Sequence, residues 1–153
     1  MLNKIKTNPY ASIVWLLFSC VVHIFLFKEK VNVDNQIWHR ILIMIIALCL
    51  VFPMHELLHF VFAKMVSKGK VKIGIVKSPI GLPTFGVTAQ GEFQKWQLVI
   101  FYLAPFVVLT VILDVIFVFC IKVELLFFVV SLSNCVGSFY DIVETLIVTR
   151  RNL

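Results

Sequence analysis

Residues 52–60 read Phe-Pro-Met-His-Glu-Leu-Leu-His-Phe and carry an HExxH motif inside a strongly apolar run. On a helix, His55 and His59 lie one turn apart on the same face. Two imidazoles placed in this way can occupy adjacent corners of a zinc tetrahedron, and Glu56 beside them is suited to accept a proton from a metal-activated water. The motif therefore predicts a metal site in a segment that is apolar enough to lie in a membrane.

The composition of the whole chain is that of an integral membrane protein. Of the 153 residues, 61% are hydrophobic and 14% are charged, and the mean hydropathy is +1.01. Soluble domains are closer to half apolar and a quarter charged. A membrane-spanning helix needs roughly 20 apolar residues. The sequence predicts an all-α fold of four transmembrane helices, at about residues 11–27, 37–66, 96–121 and 125–149.

The basic residues indicate how the helices are oriented. Ten of the fourteen lie before the first helix, between the last turn of the second helix and the start of the third, or after the fourth. The positive-inside rule therefore predicts that both termini and the central loop lie in the cytoplasm. We attribute the net charge of +6 to this topology and to attraction to the lipid bilayer, and we expect no nucleic-acid partner. The predicted location is the cytoplasmic (plasma) membrane.

The segment between the second and third helices predicts a small β-hairpin at about residues 70–90, on the cytoplasmic side. Loosely alternating apolar residues at 71–76 and 85–89 flank the turn-forming sequence Ser-Pro-Ile-Gly-Leu-Pro at 78–83. The four cysteines lie within predicted helices and form no CxxC pair, so no disulfide framework is expected. No repeat or second soluble domain is visible, and residues 1–153 are predicted to form one domain.

A catalytic zinc ion usually has three protein ligands, so the HExxH pair predicts a third ligand on another element. At about 1.5 Å per residue, Asp141 and the histidine pair both lie roughly 10–14 Å inside the cytoplasmic end. Asp141 is therefore the predicted third ligand and Glu144 the fallback; alternatively, Asp141 supports a histidine or bonds to Ser138. Asp114 falls in the opposite leaflet, where we expect a structural contact with His23. A proton relay or a second metal site is the alternative for that pair.

The fourth helix also carries a polar stripe. Its members recur at intervals of three and four residues and therefore share one face: Ser131, Asn134, Ser138, Asp141 and Thr145. Because polar groups in lipid normally face the bundle interior or a water-filled cavity, the stripe predicts a wet or hydrogen-bonded seam that leads to Asp141. Asn134 and Ser138 are candidates for substrate binding. A helix-to-helix hydrogen bond is the alternative for Asn134.

With these features in place, the chain resembles small bacterial membrane proteins of unknown function known as putative zincin peptidases. It is more distantly similar to the site-2 proteases, a class of intramembrane metalloproteases. The likeness covers most of the chain. It consists of an HExxH motif late in one helix, a surface β element, a helix with Leu-Ala-Pro-Phe at 103–106, and a helix that bears an aspartate.

In site-2 proteases the two histidines and the aspartate bind zinc and the glutamate is the base. The resemblance implies these roles for His55, His59, Asp141 and Glu56. The fourth-helix signature of site-2 proteases also contains an asparagine and an Asp-Gly pair. In this chain Ile142 follows the aspartate, and the usual prolines are absent. This departure favours the first family over the site-2 proteases themselves.

The predicted function is that of a zinc-dependent, membrane-embedded peptidase with Zn²⁺ as cofactor and Glu56 as general base. Its predicted substrate is a transmembrane or membrane-proximal peptide. The alternative is a non-catalytic metal-binding membrane protein, such as a regulator, immunity factor or partner subunit, in which Glu56 has no required role. A small transporter or channel component is a third possibility, against which the lack of an inverted repeat argues. The sequence does not indicate an oligomeric state.

Overall fold

The computed structural model describes residues 9–32, 36–67, 69–77, 83–89, 93–119 and 123–150. Six α-helices and one π-helical segment make up most of this part of the chain. The helices are α1 Pro9–Phe27, α2 Ile37–Val66, α3 Lys95–Phe106, the π-helical segment Val107–Ile112, α4 Leu113–Phe119, α5 Leu125–Gly137 and α6 Phe139–Arg150. The strands are β1 Val31–Asn32, β2 Val71–Lys77, β3 Pro83–Ala89 and β4 Val123–Glu124.

Two small β elements define the two ends of the helix bundle. β1 pairs with β4 in parallel, with Val31 opposite Val123, so the α1–α2 and α4–α5 connections meet at one end. β2 pairs with β3 as an antiparallel hairpin between α2 and α3, and this hairpin marks the opposite end. We call them the β1/β4 end and the hairpin end. α2 and the α5–α6 pair therefore run toward the hairpin end, and the helices between them run back.

Several helices are long and apolar enough to cross a membrane. Three stretches meet this description on their own: Tyr10–Phe27, Ile37–Val66 and Lys95–Phe119. The α5–α6 pair provides up to one more span, although its two helices are bent by 44° relative to each other. Many large apolar side chains point outward, and Trp38 at the start of α2 is 78% exposed. An apolar outer surface of this kind suits contact with lipid.

The predicted helices and the hairpin are present with small shifts at their ends. The first helix begins at Pro9, before the predicted residue 11, and the second has its predicted limits. The predicted turn at 78–83 lies largely outside the described residues, as does the predicted end of the third helix at residue 121. The β1–β4 pair was not predicted, because strands of two residues are too short to show alternation.

The prediction of one continuous fourth helix is corrected by the structure, in which this helix is broken into α5 and α6. α5 ends at Gly137, and Ser138 adopts φ −74° and ψ 2° before α6 begins. Glycine and serine are poor residues for a helix interior, which accounts for a break at this pair. The Ser138 N–H still bonds to the Asn134 carbonyl at 2.9 Å, and the Ile142 N–H bonds to the Ser138 carbonyl at 3.0 Å. These bonds hold the two helices together across the bend.

The interior consists of one aromatic cluster and several small or polar contacts. Phe27 and Phe117 pack edge to face, with their ring centroids 5.7 Å apart. Many of the other buried side chains are small, as expected where helices approach closely in a membrane; they include Ala47, Ala63, Ala104, Ser19 and Ser131. Among the described cysteines, Cys20, Cys49 and Cys135 are free thiols. This packing brings α2 against α3 and α5.

Candidate metal centre

The structure brings the two motif histidines and Asp141 together. His55 and His59 project from the hairpin-end half of α2, and their Nε2 atoms lie 3.2 Å apart. Asp141 is the third residue of α6, directly after the bend. Its Oδ2 atom lies 3.0 Å from the Nε2 of His55 and 3.5 Å from the Nε2 of His59. Three potential metal-ligand atoms from two elements thus converge at one point.

The distances among these three atoms match a tetrahedral zinc site. Ligand atoms roughly 2.0–2.1 Å from a tetrahedral zinc ion lie about 3.3 Å from one another. The three observed separations of 3.0, 3.2 and 3.5 Å lie around this value. The atoms therefore form one face of a tetrahedron and leave its fourth corner for another group.

Hydrogen bonds fix the orientation of both imidazole rings. The Nδ1 atom of His59 lies 2.8 Å from the Phe101 carbonyl oxygen, which can only accept, so this nitrogen carries the proton. The Nδ1 atom of His55 lies 2.9 Å from Oδ1 of Asn134. The Asn134 Nδ2 group donates to the carbonyl of Pro105 and to the hydroxyl of Thr110, both at 3.0 Å. Its oxygen therefore faces His55 and accepts the Nδ1 proton.

Both Nε2 atoms are consequently left as acceptors in the neutral rings, and each faces the Asp141 carboxylate. Three acceptor atoms so close together repel one another unless a cation lies between them. A proton can bridge two of them, whereas a divalent metal ion can bind all three. Nitrogen and carboxylate ligands with a fixed second ring nitrogen are the donor set that zinc prefers. The residues present therefore fit a zinc ion.

Glu56 lines the cavity next to this group. A cavity of about 220 Å³ lies between α2 and α5 and is bounded by Glu56 and the three converging residues, among others. A second and more apolar cavity of about 410 Å³ is lined by Phe52, Pro53, Glu56, Leu57 and Ile73. Glu56 thus lines both cavities. Among the described residues, no fourth His, Cys, Asp or Glu joins the metal-binding group.

The polar stripe on α5 and α6 is buried and mostly hydrogen-bonded. Asn134 is 1% exposed and its amide makes the three bonds described above, which is the helix-to-helix arrangement. Thr145 donates to the Asp141 backbone carbonyl at 2.8 Å. Ser138 is fully buried, and its hydroxyl has no partner. The described bonds are therefore those of a hydrogen-bonded seam, while a wet seam and substrate binding by Asn134 and Ser138 stay predictions.

His23 and Asp114 form a separate polar cluster, outside the metal-binding group. The Nε2 atom of His23 lies 3.4 Å from Oδ2 of Asp114 and 3.2 Å from the hydroxyl of Ser131. Ser131 in turn donates to Asp114 at 2.6 Å, and the Nδ1 atom of His23 lies 3.0 Å from the Ser19 carbonyl. The cluster links α1, α4 and α5 through bonds that satisfy buried polar groups. The predicted contact between His23 and Asp114 is therefore present, and its structural role stays a prediction.

Sequence reasoning missed the backbone groups that orient the histidines. The Phe101 and Pro105 carbonyls have no side-chain signature, and Thr110 belongs to the π-helical segment. One signal was available, because a proline inside a helix leaves the carbonyl four residues earlier without its usual donor. Pro105 therefore indicated that the Phe101 carbonyl lacks its usual helical donor.

Comparison with known proteins supports this interpretation. A protein-family model described as "putative zincin peptidase" matches residues 48–152. The chain belongs to this family. No match was found among curated proteins or solved structures. The zincin peptidase match includes Glu56 and all three residues of the metal-binding group, whereas His23 in α1 lies outside it. A zincin family implies zinc as the metal.

A substitution at Asn134 tests whether its hydrogen bond to His55 supports metal binding. We expect Asn134→Ala to lower zinc affinity roughly 10- to 100-fold, the usual effect of losing a residue that supports a metal-binding histidine. Zinc titration of the purified protein measures this. The matched control is Ser138→Ala, which removes a buried hydroxyl from the same stripe that bonds to no histidine. Equal zinc affinities for the two variants would contradict the assignment.

Proposed function

We propose that this chain is a zinc-dependent peptidase that acts on peptides within or beside a membrane. The observation that carries the proposal is the convergence of the His55 and His59 Nε2 atoms and the Asp141 Oδ2 atom, beside a cavity that Glu56 also lines. The family of the chain and its apolar helices support the same activity and setting. The zinc ligands in this proposal are these three side chains.

Each residue of the site has its own role in the proposed peptide hydrolysis. His55, His59 and Asp141 would hold a zinc ion, which would supply a Lewis acid for the peptide carbonyl and for water. The carboxylate of Glu56 accepts a proton from the attacking water and delivers it to the nitrogen of the leaving amine. Asn134 and the Phe101 carbonyl keep the histidine rings turned so that both Nε2 atoms face the cavity. The cavity beside the three converging side chains provides room for the reacting group.

The proposed location is the cytoplasmic membrane, with the hairpin end in the cytoplasm. The described basic residues at the hairpin end outnumber those at the β1/β4 end, in line with the positive-inside rule; they are Lys64, Lys70, Lys72, Lys95 and Arg150. At the β1/β4 end, Lys30 makes a structural contact. Its ammonium group donates to the carbonyls of Phe117 and Val118 near the end of α4, at 3.2 and 2.7 Å. Such a contact suits a cation at a helix C-terminus.

The proposed substrate is a transmembrane or membrane-proximal peptide in an extended form. The larger cavity is apolar and reaches from Glu56, beside the metal-binding group, to Ile73 on β2 of the hairpin. A peptide that added a strand to the hairpin would present its backbone along this path. Apolar side chains of the peptide would then fill the larger cavity. An extended backbone is also the form in which a peptide carbonyl can reach a metal.

Cleavage assays in lipid nanodiscs test the proposal directly. We expect the zinc-loaded protein to cleave a set of reporter peptides with apolar segments, and a chelator to stop cleavage until zinc is returned. In cells, the membrane proteomes of the parent strain and a Glu56→Gln strain should differ in the substrate and its fragments. A zinc-free parent protein, or identical proteomes, would contradict the proposal.

The alternative of a non-catalytic metal protein predicts a different site. A purely structural zinc ion is closed by four protein ligands. The described residues provide three, and the remaining side of the group faces a cavity lined by Glu56. These two features favour the peptidase.

A substitution at Gly137 tests whether the smaller cavity admits the substrate. Gly137 lines this cavity, and a Cβ atom built on it meets nothing within 4 Å. Gly137→Leu should therefore fold and bind zinc, while its side chain occupies space that the peptide needs. We expect roughly 100-fold slower cleavage, since displacement of a substrate by about 1 Å can cost that much. Gly137→Ala is the matched control and should stay close to the parent in the same assay.

A further inference from the structure

The helical stretch Lys95–Phe119 supplies none of the three converging ligand atoms, yet α3 within it supports both histidines. It supports His59 directly and His55 through Asn134. Phe101 and Pro105 are one helical turn apart, as are His55 and His59 on α2. The Phe101 carbonyl accepts the Nδ1 proton of His59 directly, at 2.8 Å. The Pro105 carbonyl accepts a bond at 3.0 Å from Asn134, whose oxygen accepts the Nδ1 proton of His55. Two successive turns of α3 thus hold the two histidines.

The Phe101 carbonyl can do this because of Pro105. In a regular helix, a carbonyl accepts the N–H of the residue four positions later. For Phe101 that residue is Pro105, which has no N–H, and its ring also pushes against the carbonyl four residues earlier. The carbonyl therefore has no N–H donor at the position four residues later. Pro105 itself is buried within α3.

We propose that Pro105 is a positioning residue for the metal centre. By withholding an N–H from the Phe101 carbonyl, it directs that carbonyl to His59. The carbonyl holds the proton of His59 on Nδ1, and Nε2 is left to face the metal. The inference rests on the proposed zinc site, but it predicts a tautomer that is present whether or not metal is bound.

The first test is Pro105→Ala, which restores the missing N–H. The helical bond from residue 105 to the Phe101 carbonyl then competes with the His59 proton. We expect zinc affinity to fall roughly 10- to 100-fold, as on loss of a ligand's supporting partner. The thermal midpoint of the metal-free protein should stay the same or rise, because alanine is the better helix former. A proline needed only for packing would instead lower the midpoint.

The matched control places lactic acid at position 105. This residue has the methyl side chain of alanine and an ester oxygen in place of the N–H, so it lacks the ring but also lacks the competing donor. We expect it to bind zinc like the parent. If it weakens zinc binding as much as Pro105→Ala does, the effect comes from packing and the inference is overturned. An unchanged zinc affinity in Pro105→Ala, or its failure to fold, also overturns it.

A second readout separates this inference from the zinc proposal. NMR of the metal-free protein labelled with ¹⁵N-histidine reports which ring nitrogen of His59 carries the proton, and the spectrum of a His59→Gln variant assigns the signal. We expect the Nδ1–H form in the parent and in the lactic acid variant, and a loss of that preference in Pro105→Ala. The same tautomer in all three proteins would overturn the inference. A parent that shows this pattern but binds no zinc would overturn the peptidase proposal alone.

Discussion

Glu56→Gln should abolish measurable peptide cleavage while the protein keeps its zinc. Glu56 lines both cavities but is not one of the three residues whose ligand atoms converge. Glutamine has nearly the same size and shape, so the metal-binding group should not change. It has no carboxylate to accept a proton from water, and loss of a general base typically costs about 10²- to 10⁴-fold in rate. Zinc content and cleavage rate are measured on the same nanodisc sample.

The matched control for Glu56→Gln is Asp114→Asn. It makes the same change from carboxylate to amide inside the bundle, at a position that bonds to Ser131 and His23 and lies apart from both cavities. We expect this variant to retain zinc and cleavage. Equal cleavage by Glu56→Gln and the parent would rule out the peptidase proposal. Loss of zinc from Glu56→Gln would instead identify Glu56 as a ligand.

The sequence was sufficient to predict which groups converge, because the depth of each side chain along its helix can be counted from the sequence. A helix advances about 1.5 Å per residue, so counting from the basic residues at its end gives the depth of any side chain. His55, His59 and Asp141 had matching depths on helices that run in the same direction, and their ligand atoms do lie together. The same count placed Asp114 at a different depth, and Asp114 contacts His23 instead of the metal-binding group. Depth constrains contacts strongly where helices are nearly parallel to the membrane normal.

The sequence could not predict what orients these side chains, because that depends on rotation and local distortion of helices. The bend at Ser138 changes the direction of α6, and no residue count reports it. The supporting acceptors are the Phe101 and Pro105 carbonyls, and every residue has a carbonyl. Asn134 was visible as a polar residue, but its three partners come from three separate stretches of helix.

The predicted water route along the polar stripe needs a different interpretation. The sequence placed Ser131, Asn134 and Ser138 on one face but could not distinguish a wet seam from a hydrogen-bonded one. In the structure all three are buried, and the first two bond to other helices. The open space beside the metal-binding group is lined by Asn134 and Asp141 of the stripe, and also by Ser133 and Gly137. Polar side chains in a bundle therefore indicate where helices contact one another as readily as where water enters.

Asp141→Ala should lose zinc. Its Oδ2 atom contributes one of the three converging positions and the only negative charge among them. Loss of a supporting partner alone costs roughly 10- to 100-fold in metal affinity, and loss of the ligand itself should cost more. The parent should gain about 2.7 kcal/mol of stability when zinc is present at 100 times its Kd. Thermal unfolding with and without zinc should therefore show a shift in the parent and none in Asp141→Ala.

The matched control is Glu144→Ala, three residues further along α6 and the fallback ligand from the sequence. It removes a carboxylate from the same helix, but Glu144 is not a member of the converging group. We expect Glu144→Ala to keep both the zinc content and the zinc-dependent thermal shift of the parent. The opposite pattern, with zinc retained in Asp141→Ala and lost in Glu144→Ala, would move the third ligand to Glu144. Because Asp141 is the residue of α6 that contacts His55 on α2, that result would also require α6 to rotate about its axis on binding zinc.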